Sequence, residues 1–414
     1  MSARRPTVVV AIHDGFYGCG TGAGYANDAF VRILADLLPP RVRLVLLPVH
    51  LSPDSPERHP RWYRRTCELV ARSAATVHPV HNDTGGQDRF GTLRNFRHLV
   101  ANTATVLRER VLDGAGPLLI VAFDAPFFGL STVLPRAIRP FLVLVPRSSA
   151  LIHRPDDTER IAWEADGLGA GTRIAAISGF MRRHLHEAYH VPQRALVDLP
   201  DGLVAEDWSL APPPDNALGL TARPGFLFSF GRAEPYKGFD DLLDAVRLLR
   251  DNGHQLPHLV LAATAEGARP TAYQRHLADR ITRLGLDASL LTTFRPGVRR
   301  LLAHPRLRAL VVPSRAEPFG RIPVEAFAAG AAPVISTTAG GLAEQVIEGR
   351  TGFAAPPSDP AALAAAIGRG LALGPAERDR LRRDTAAFAA GRYCYRDAVE
   401  RFLGTVAPWL ADYR

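Results

Sequence analysis

Pro313-Ser-Arg-Ala-Glu-Pro-Phe-Gly-Arg-Ile-Pro-Val-Glu325-Ala-Phe-Ala-Ala-Gly330 is the stretch that decides how this chain is read. It follows the apolar run Ala309–Val312 and enters a segment of helix formers, so it reads as strand, loop and helix in that order. Such a junction suits an anion: the first N–H groups of a helix lack intrahelical partners, and the peptide dipoles leave that end positive. Gly320 keeps the loop bare where a diphosphate would lie. Glu317 and Glu325 flank it with seven residues between them. A carboxylate oxygen accepts hydrogen bonds from sugar and ribose hydroxyls. Taken without their surroundings, the two glutamates would equally suit a turn and an exposed helix face.

Upstream, the apolar run Phe226–Phe230 ends in Gly231-Arg-Ala-Glu-Pro-Tyr-Lys-Gly238, ahead of an amphipathic segment over Phe239–Arg250. A guanidinium and an ammonium at the carboxyl end of a strand can neutralise a diphosphate leaving group as its bond to a sugar breaks. Arg232 and Lys237 are the strongest catalytic candidates on this ground, and Glu317 is the third catalytic candidate. Lys237 is the sole lysine, so the other 49 basic residues are arginine. A chain that otherwise uses no lysine keeps a compact ammonium at this one position.

Outward from these motifs, short β-branched runs alternate with helix-length segments along the whole chain, the pattern of parallel sheets with crossover helices. The fold class is α/β. Strands are expected at Val8–Ile12, Val42–Pro48, Leu118–Phe123, Phe141–Val145, Ile174–Ile177 and Leu196–Leu199. A second series is expected at Phe226–Phe230, Leu259–Ala263, Ala309–Val312 and Pro333–Ser336, with a further turn ending at Phe353. Ala26–Leu38, Ala361–Leu373, Pro375–Ala390 and Tyr395–Leu410 read as helices. Periodicity fails between Val204 and Arg223, where Ala-Pro-Pro-Pro-Asp-Asn at 211–216 is stiff and turn-rich. The expected division is an N-terminal Rossmann-like domain over 1–205, a C-terminal one over 206–390, and a last helix in 391–414 that crosses back to the first.

At 414 residues, 47% hydrophobic and 22% charged, the composition is that of a soluble globular protein of about two domains. The net charge of +9 is spread along the chain, with no basic run interleaved with aromatics, so nucleic acid is not an expected partner. Cys19, Cys67 and Cys394 lie far apart with no C-x-x-C pair, against a disulfide scaffold or zinc ribbon and for a reducing cytoplasm. The run Thr7–Ile12 is too short for a signal peptide, and Leu118–Leu134 is broken by Asp124, Pro126 and Gly129, so no integral membrane segment is expected. There is no Asp-x-Asp and no H-E-x-x-H, so metal-independent chemistry is expected, with no cofactor.

The two glutamates in their Pro-Ser…Glu-x-Phe-Gly context resemble the signature of retaining glycosyltransferases of the GT-B fold, family 4 (group 1 glycosyl transferases). The resemblance runs through Ala328–Ser336, Gly340–Glu344 and Gly349–Phe353, and covers most of residues 225–370. It implies two Rossmann-like domains with parallel sheets facing each other across a cleft, and transfer of a sugar from a nucleotide-diphosphate donor with retained anomeric configuration. By the same resemblance Glu317 contacts donor sugar hydroxyls, backbone N–H groups of Phe319, Gly320, Arg321 and Ile322 meet the sugar and diphosphate, and Glu325 holds the ribose. Gly231, Arg232 and Lys237 belong to the phosphate grip. The nucleotide-sugar is a co-substrate, with UDP favoured as carrier and GDP the alternative.

In the first half, His13-Asp-Gly-Phe-Tyr-Gly-Cys-Gly-Thr-Gly-Ala-Gly24 lies between the first strand and first helix. Gly18-x-Gly20-x-x-Ala23 matches a dinucleotide fingerprint superficially, but its glycines come several residues after the strand and no acid follows the second strand to take a ribose. The resemblance instead brings Gly22 and Gly24 toward the donor diphosphate. It also expects a histidine after the fourth strand, where this chain has Pro146-Arg-Ser-Ser149. Asp14, Asp124 and Arg147 are the acceptor candidates, with Asp28 and Glu164 as further acids for a cationic acceptor and Ser148 or His153 as substitutes for the missing histidine. Asp201-Gly202 replaces an Asn-Gly turn, a role it can fill by itself. The arginine bias and unusual first-half loops favour a small natural-product acceptor such as an aminocyclitol, as in antibiotic biosynthesis, over lipid or polysaccharide. A nucleotide-sugar epimerase and a non-catalytic sugar-nucleotide-binding protein are the rivals of other classes. Neither the donor sugar nor the oligomeric state is encoded in any motif.

Overall fold

The computed structural model describes residues 5–113, 115–213, 225–265, 269–293, 296–331 and 333–413. The chain divides into two compact units, one built from residues up to Gly202 together with those from Tyr395 onward, the other from Leu203 to Cys394. Much of the turn-rich stretch expected to separate the domains, residues 214–224, lies outside the described residues.

In the first unit, β1 (Arg5–Ile12), β2 (Arg43–Pro48), β3 (Thr76–Val77), β4 (Ala115–Phe123), β5 (Leu142–Val145), β6 (Arg173–Ala176) and β7 (Leu196–Asp198) form one sheet in the order β3-β2-β1-β4-β5-β6-β7. Every pairing is parallel. Val8 to Ile12 and Leu119 to Phe123 are buried on both sides of the pleat, which is why these runs are apolar throughout rather than alternating. Helix α1 (Gly22–Leu37) lies between β1 and β2 and buries Phe30, Ile33 and Leu34. It begins four residues before the expected Ala26 because Thr21 caps it, its Oγ1 accepting from Gly24 N at 3.1 Å.

The second unit repeats the plan. β8 (Phe226–Arg232), β9 (His258–Ala265), β10 (Ala288–Thr293), β11 (Leu307–Val312), β12 (Val334–Thr337) and β13 (Phe353–Ala355) are ordered β10-β9-β8-β11-β12-β13, all parallel. Helix α2 (Phe239–Asp251) follows β8 and α3 (Arg321–Ala328) follows β11; α4 (Pro360–Ala372) follows β13. Phe239, Leu242, Leu243, Val246 and Leu249 of α2 and Leu363 and Ile367 of α4 close over Leu227, Leu259, Leu261, Val311 and Ile335 of the sheet as one core. Strand β13 was expected only as a turn ending at Phe353. With β3 counted, the run before Pro146 is the fifth strand, so the residue after the fourth is Asp124. Strands β3 and β10 were not expected from the sequence at all. Each is an edge strand with no fully buried residue, so neither shows the apolar run of its inner neighbours.

Helix α5 (Pro375–Arg392) closes the second unit, and α6 (Tyr395–Val406) belongs to the first. Phe402 of α6 meets Phe30 of α1 edge to face, with ring centroids 6.1 Å apart. Arg173 of β6 donates to the Val406 carbonyl at 2.8 Å. Beyond Val406 the expected helix gives way to a 3₁₀ turn over Pro408–Tyr413.

Candidate functional site

In an open parallel sheet, ligands collect beyond the carboxyl ends of the strands, where successive connections depart in opposite directions. In the second unit that point lies between β8 and β11. The two most distinctive segments of the sequence are the loops at those two strand ends.

The loop after β8 turns through Gly238, at φ +67°, into α2. A Cβ there would stand 2.0 Å from the Pro313 carbonyl oxygen, so the two loops touch backbone to backbone. Arg315 N donates to Tyr236 O at 2.7 Å, and the Arg315 guanidinium grips Asp241 at 2.7 and 2.6 Å. This clamp sets Lys237 against Glu317 as an ion pair, with side chains 13% and 9% exposed. Ser314 Oγ donates to the same Glu317 Oε1 at 2.9 Å. Arg232 is exposed at the end of β8 and donates to the Tyr236 hydroxyl. Gly231 passes beside Phe239, whose ring would lie 3.4 Å from an added Cβ.

Gly320 takes φ +80° immediately before α3, and no side chain caps that helix. A Cβ on Gly320 would meet Leu342 Cδ2 at 2.4 Å. Phe319 is buried against Tyr393, ring centroids 5.9 Å apart, and its carbonyl accepts from Gln345 Nε2 at 2.6 Å. Ile322 is half-buried in the first turn of α3. Glu325 is not an exposed helix residue: it is 5% exposed, accepting from Arg299 Nε at 2.9 Å and Arg321 Nε at 3.3 Å. Arg321 also reaches Asp207 at 3.3 Å. A carboxylate has about four lone-pair directions, so two arginines leave it capacity to accept more hydrogen bonds. Ser314 was given no role although it lies in the Pro313–Gly330 stretch three residues before Glu317, and Arg299 was missed because it sits in no motif and meets Glu325 only through folding.

In the first unit the corresponding point lies between β1 and β4. Gly22 and Gly24 stand in the first turn of α1 rather than in the loop, and a Cβ on Gly24 would come within 2.5 Å of the Asp14 carboxylate. Asp14 is buried and accepts from Thr21 Oγ1 at 2.7 Å and Gly20 N at 3.4 Å, with Arg89 at 3.5 Å. Arg147 is buried too: it donates to Asn27 at 2.6 Å and to the Tyr395 hydroxyl at 2.8 Å, and lies 3.5 Å from Asp201. Burial opposes its charge, yet Tyr395 and Asp201 more than compensate and hold its pKa above the ordinary value. Asp124 accepts from Arg147 N at 2.8 Å through Oδ1, and its Oδ2 faces His13. The further acids are also engaged, Asp28 with Arg32 and Arg65, and Glu164 with Arg160 and the Tyr189 hydroxyl. Among the described residues no group of three or more His, Cys, Asp or Glu is placed to hold a metal ion, and no helix is long and apolar enough to cross a membrane.

Fold and site together define an α/β protein of two Rossmann-like units, the second carrying a cationic and helix-terminal cradle at its switch point. The family model for group 1 glycosyl transferases matches residues 215–387. The D-inositol 3-phosphate glycosyltransferase of Geodermatophilus obscurus is 30% identical over 388 residues, 88% of this chain and 78% of the relative. That of Frankia alni is 31% identical over 247 residues, 58% of this chain and 59% of the relative, so the chain spans under two thirds of its length. This chain belongs to the group 1 glycosyltransferases. Anabaena HepE, solved in complex with UDP and glucose, shares the fold with a TM-score of 0.69 at 20% identity, covering 97% of this chain and 100% of its own.

Proposed function

We propose that this protein is a retaining, metal-independent glycosyltransferase that moves a sugar from a UDP-sugar to a hydroxyl of a small natural-product acceptor such as an aminocyclitol. The observation that carries the donor half is the Lys237–Glu317 pair beside the uncapped start of α3, two opposite charges and an anion seat at one switch point. The ammonium and the Arg232 guanidinium suit the diphosphate, and stabilise the charge that grows on it as the glycosidic bond breaks. The N–H groups around Gly320 suit a phosphate oxygen. Glu317 suits the sugar hydroxyls and Glu325 the ribose, since each carboxylate accepts what those groups donate. Departure of the diphosphate and attack of the acceptor hydroxyl occur on one face of the sugar, a phosphate oxygen taking the proton. No enzyme nucleophile is then required. UDP as carrier is supported by the UDP complex of HepE, and a cyclitol acceptor by the inositol phosphate named for the Geodermatophilus and Frankia relatives.

The test is a thermal-shift and calorimetric series with UDP-, GDP- and dTDP-glucose, followed by transfer assays on cyclitols read by mass spectrometry. UDP-glucose is expected to stabilise most, and the absence of stabilisation by any nucleotide-sugar overturns the assignment. Lys237→Ala and Glu317→Ala are expected to stay folded by circular dichroism and to lose about 10²–10³ in kcat, the scale for removing one group that stabilises developing charge. Near-normal turnover in both would refute the site.

A further inference from the structure

His13 directly follows β1 and Asp124 directly follows β4, so the two residues stand at the switch point of the first sheet. His13 Nδ1 and Asp124 Oδ2 face each other at 3.7 Å, with side chains 7% and 5% exposed. That separation is too long for a hydrogen bond between them, and neither atom has a hydrogen-bond partner. Buried polar atoms are almost always satisfied, and two orphans aimed at one another are a strong exception. The backbone adds a third observation. Asp124 holds φ +67°, ψ 170°, a region that non-glycine residues rarely occupy. Two contacts keep it there, Asp124 N donating to Val145 O at 3.0 Å and Oδ1 accepting from Arg147 N. Both hold the residue so that Oδ2 points at His13.

The surrounding groups decide what the pair can take. Asp14 is already engaged by Thr21, Gly20 and Arg89, and Arg147 by Asn27, Tyr395 and Asp201. The charges that act on His13 are Asp124, Asp14, Arg89 and Arg160, and the Phe90 ring meets its edge at 5.5 Å. Arg89 is shared with Glu57 at 3.1 Å and Arg160 with Glu164 at 3.0 Å, so the open groups at this point are the Asp124 Oδ2 edge and the His13 ring that faces it. Burial also disfavours a charged imidazole, so at neutral pH the ring is uncharged and offers one N–H. A hydroxyl fits both sides: it donates to the carboxylate and accepts from the ring.

We infer that His13 and Asp124 together bind a hydroxyl group of the acceptor. The inference rests on the glycosyltransferase reading above and makes His13, absent from the acceptor candidates of the sequence, a specificity-determining residue. Asp14 and Arg147 hold the loop and the strand end on which the pair is mounted.

The experiment measures transfer from UDP-glucose to myo-inositol, myo-inositol 3-phosphate and 2-deoxystreptamine by the wild-type chain and by His13→Leu, His13→Asn and Asp124→Asn. Asparagine keeps an amide donor near the Nδ1 position, and at 124 it keeps the side-chain shape and an oxygen for Arg147 N. His13→Leu and Asp124→Asn are expected to raise KM for the acceptor roughly tenfold to hundredfold, the loss of a hydrogen bond to a charged or buried partner. KM for UDP-glucose should stay unchanged, and His13→Asn should recover most of the acceptor affinity. Unchanged acceptor KM in both losing variants, or a change confined to UDP-glucose, overturns the pair while leaving the glycosyltransferase intact. UDP-glucose binding with no transfer to any of the three cyclitols overturns the acceptor class and the pair with it.

Discussion

Lys237 and His13 show two ways a single residue can be informative. Lys237 was legible in the sequence because it breaks a compositional rule, one lysine against 49 arginines, at the carboxyl end of an apolar run. His13 was passed over as the residue that ends an apolar run, since nothing local separates a strand-end histidine that meets a ligand from one that does not. Its partner lies 111 positions later, and only the parallel pairing of β1 with β4 brings them together. The titration of His13 carries its own prediction. Burial lowers its pKa below the ordinary 6.5 of the unfolded chain. Between that depressed value and 6.5 the unfolded state therefore binds the proton first, so stability rises with pH through this window. It is complete above 6.5 and is lost as pH falls toward the folded value. Urea denaturation at a series of pH values from about 8 to about 5 should show this slope in the wild-type chain and a shallower one in His13→Leu. Equal slopes would mean that the ring titrates as it does when unfolded.

At the scale of elements, what was legible follows burial on both faces. Runs such as Val8–Ile12 and Ala309–Val312 are apolar throughout because helices cover both sides of each sheet, so their existence was plain and their ends were right to within a few residues. The edge strands β3 and β10 carry no such signal. The start of α1 was misplaced for another reason: Gly22 and Gly24 are poor helix formers, and the cap by Thr21 outweighs them. The start of α3 depends on one backbone position. Gly320 is left-handed and has no room for a methyl group beside Leu342, so Gly320→Ala combines conformational strain with a clash. It should destabilise the chain by about 1–3 kcal/mol, and it should weaken UDP-glucose binding by displacing the N–H groups of the first turn. Urea denaturation and calorimetry measure the two effects separately. Loss of stability with unchanged UDP-glucose affinity would remove the start of α3 from the donor site.

At the scale of the whole molecule, the same plan is used twice, and each sheet has its candidate groups at its own switch point: Arg232, Lys237 and Glu317 between β8 and β11, His13 and Asp124 between β1 and β4. The first unit is discontinuous in sequence, since its fold is completed by the segment from Tyr395 onward. Helix α6 contributes Tyr395, Val399, Phe402 and Val406 to the buried interior, and Tyr395 also receives Arg147, whose backbone N–H positions Asp124. The segment from Tyr395 onward thus supports the His13–Asp124 pair by way of the β5 end. Phe402 is 1% exposed and packs on Phe30, which in turn meets Phe123 edge to face at 5.1 Å, one residue before Asp124. Phe402→Ala should cost about 3–5 kcal/mol, the range for emptying a buried aromatic site. Amide hydrogen exchange read by mass spectrometry locates that loss. Protection should fall in β1, β4 and α1, while the peptides of β8, β11 and α3 should keep theirs and still gain protection from UDP-glucose. An equal loss in both sheets would mean that the two units unfold as one body, and that α6 supports the donor site as much as it supports His13 and Asp124.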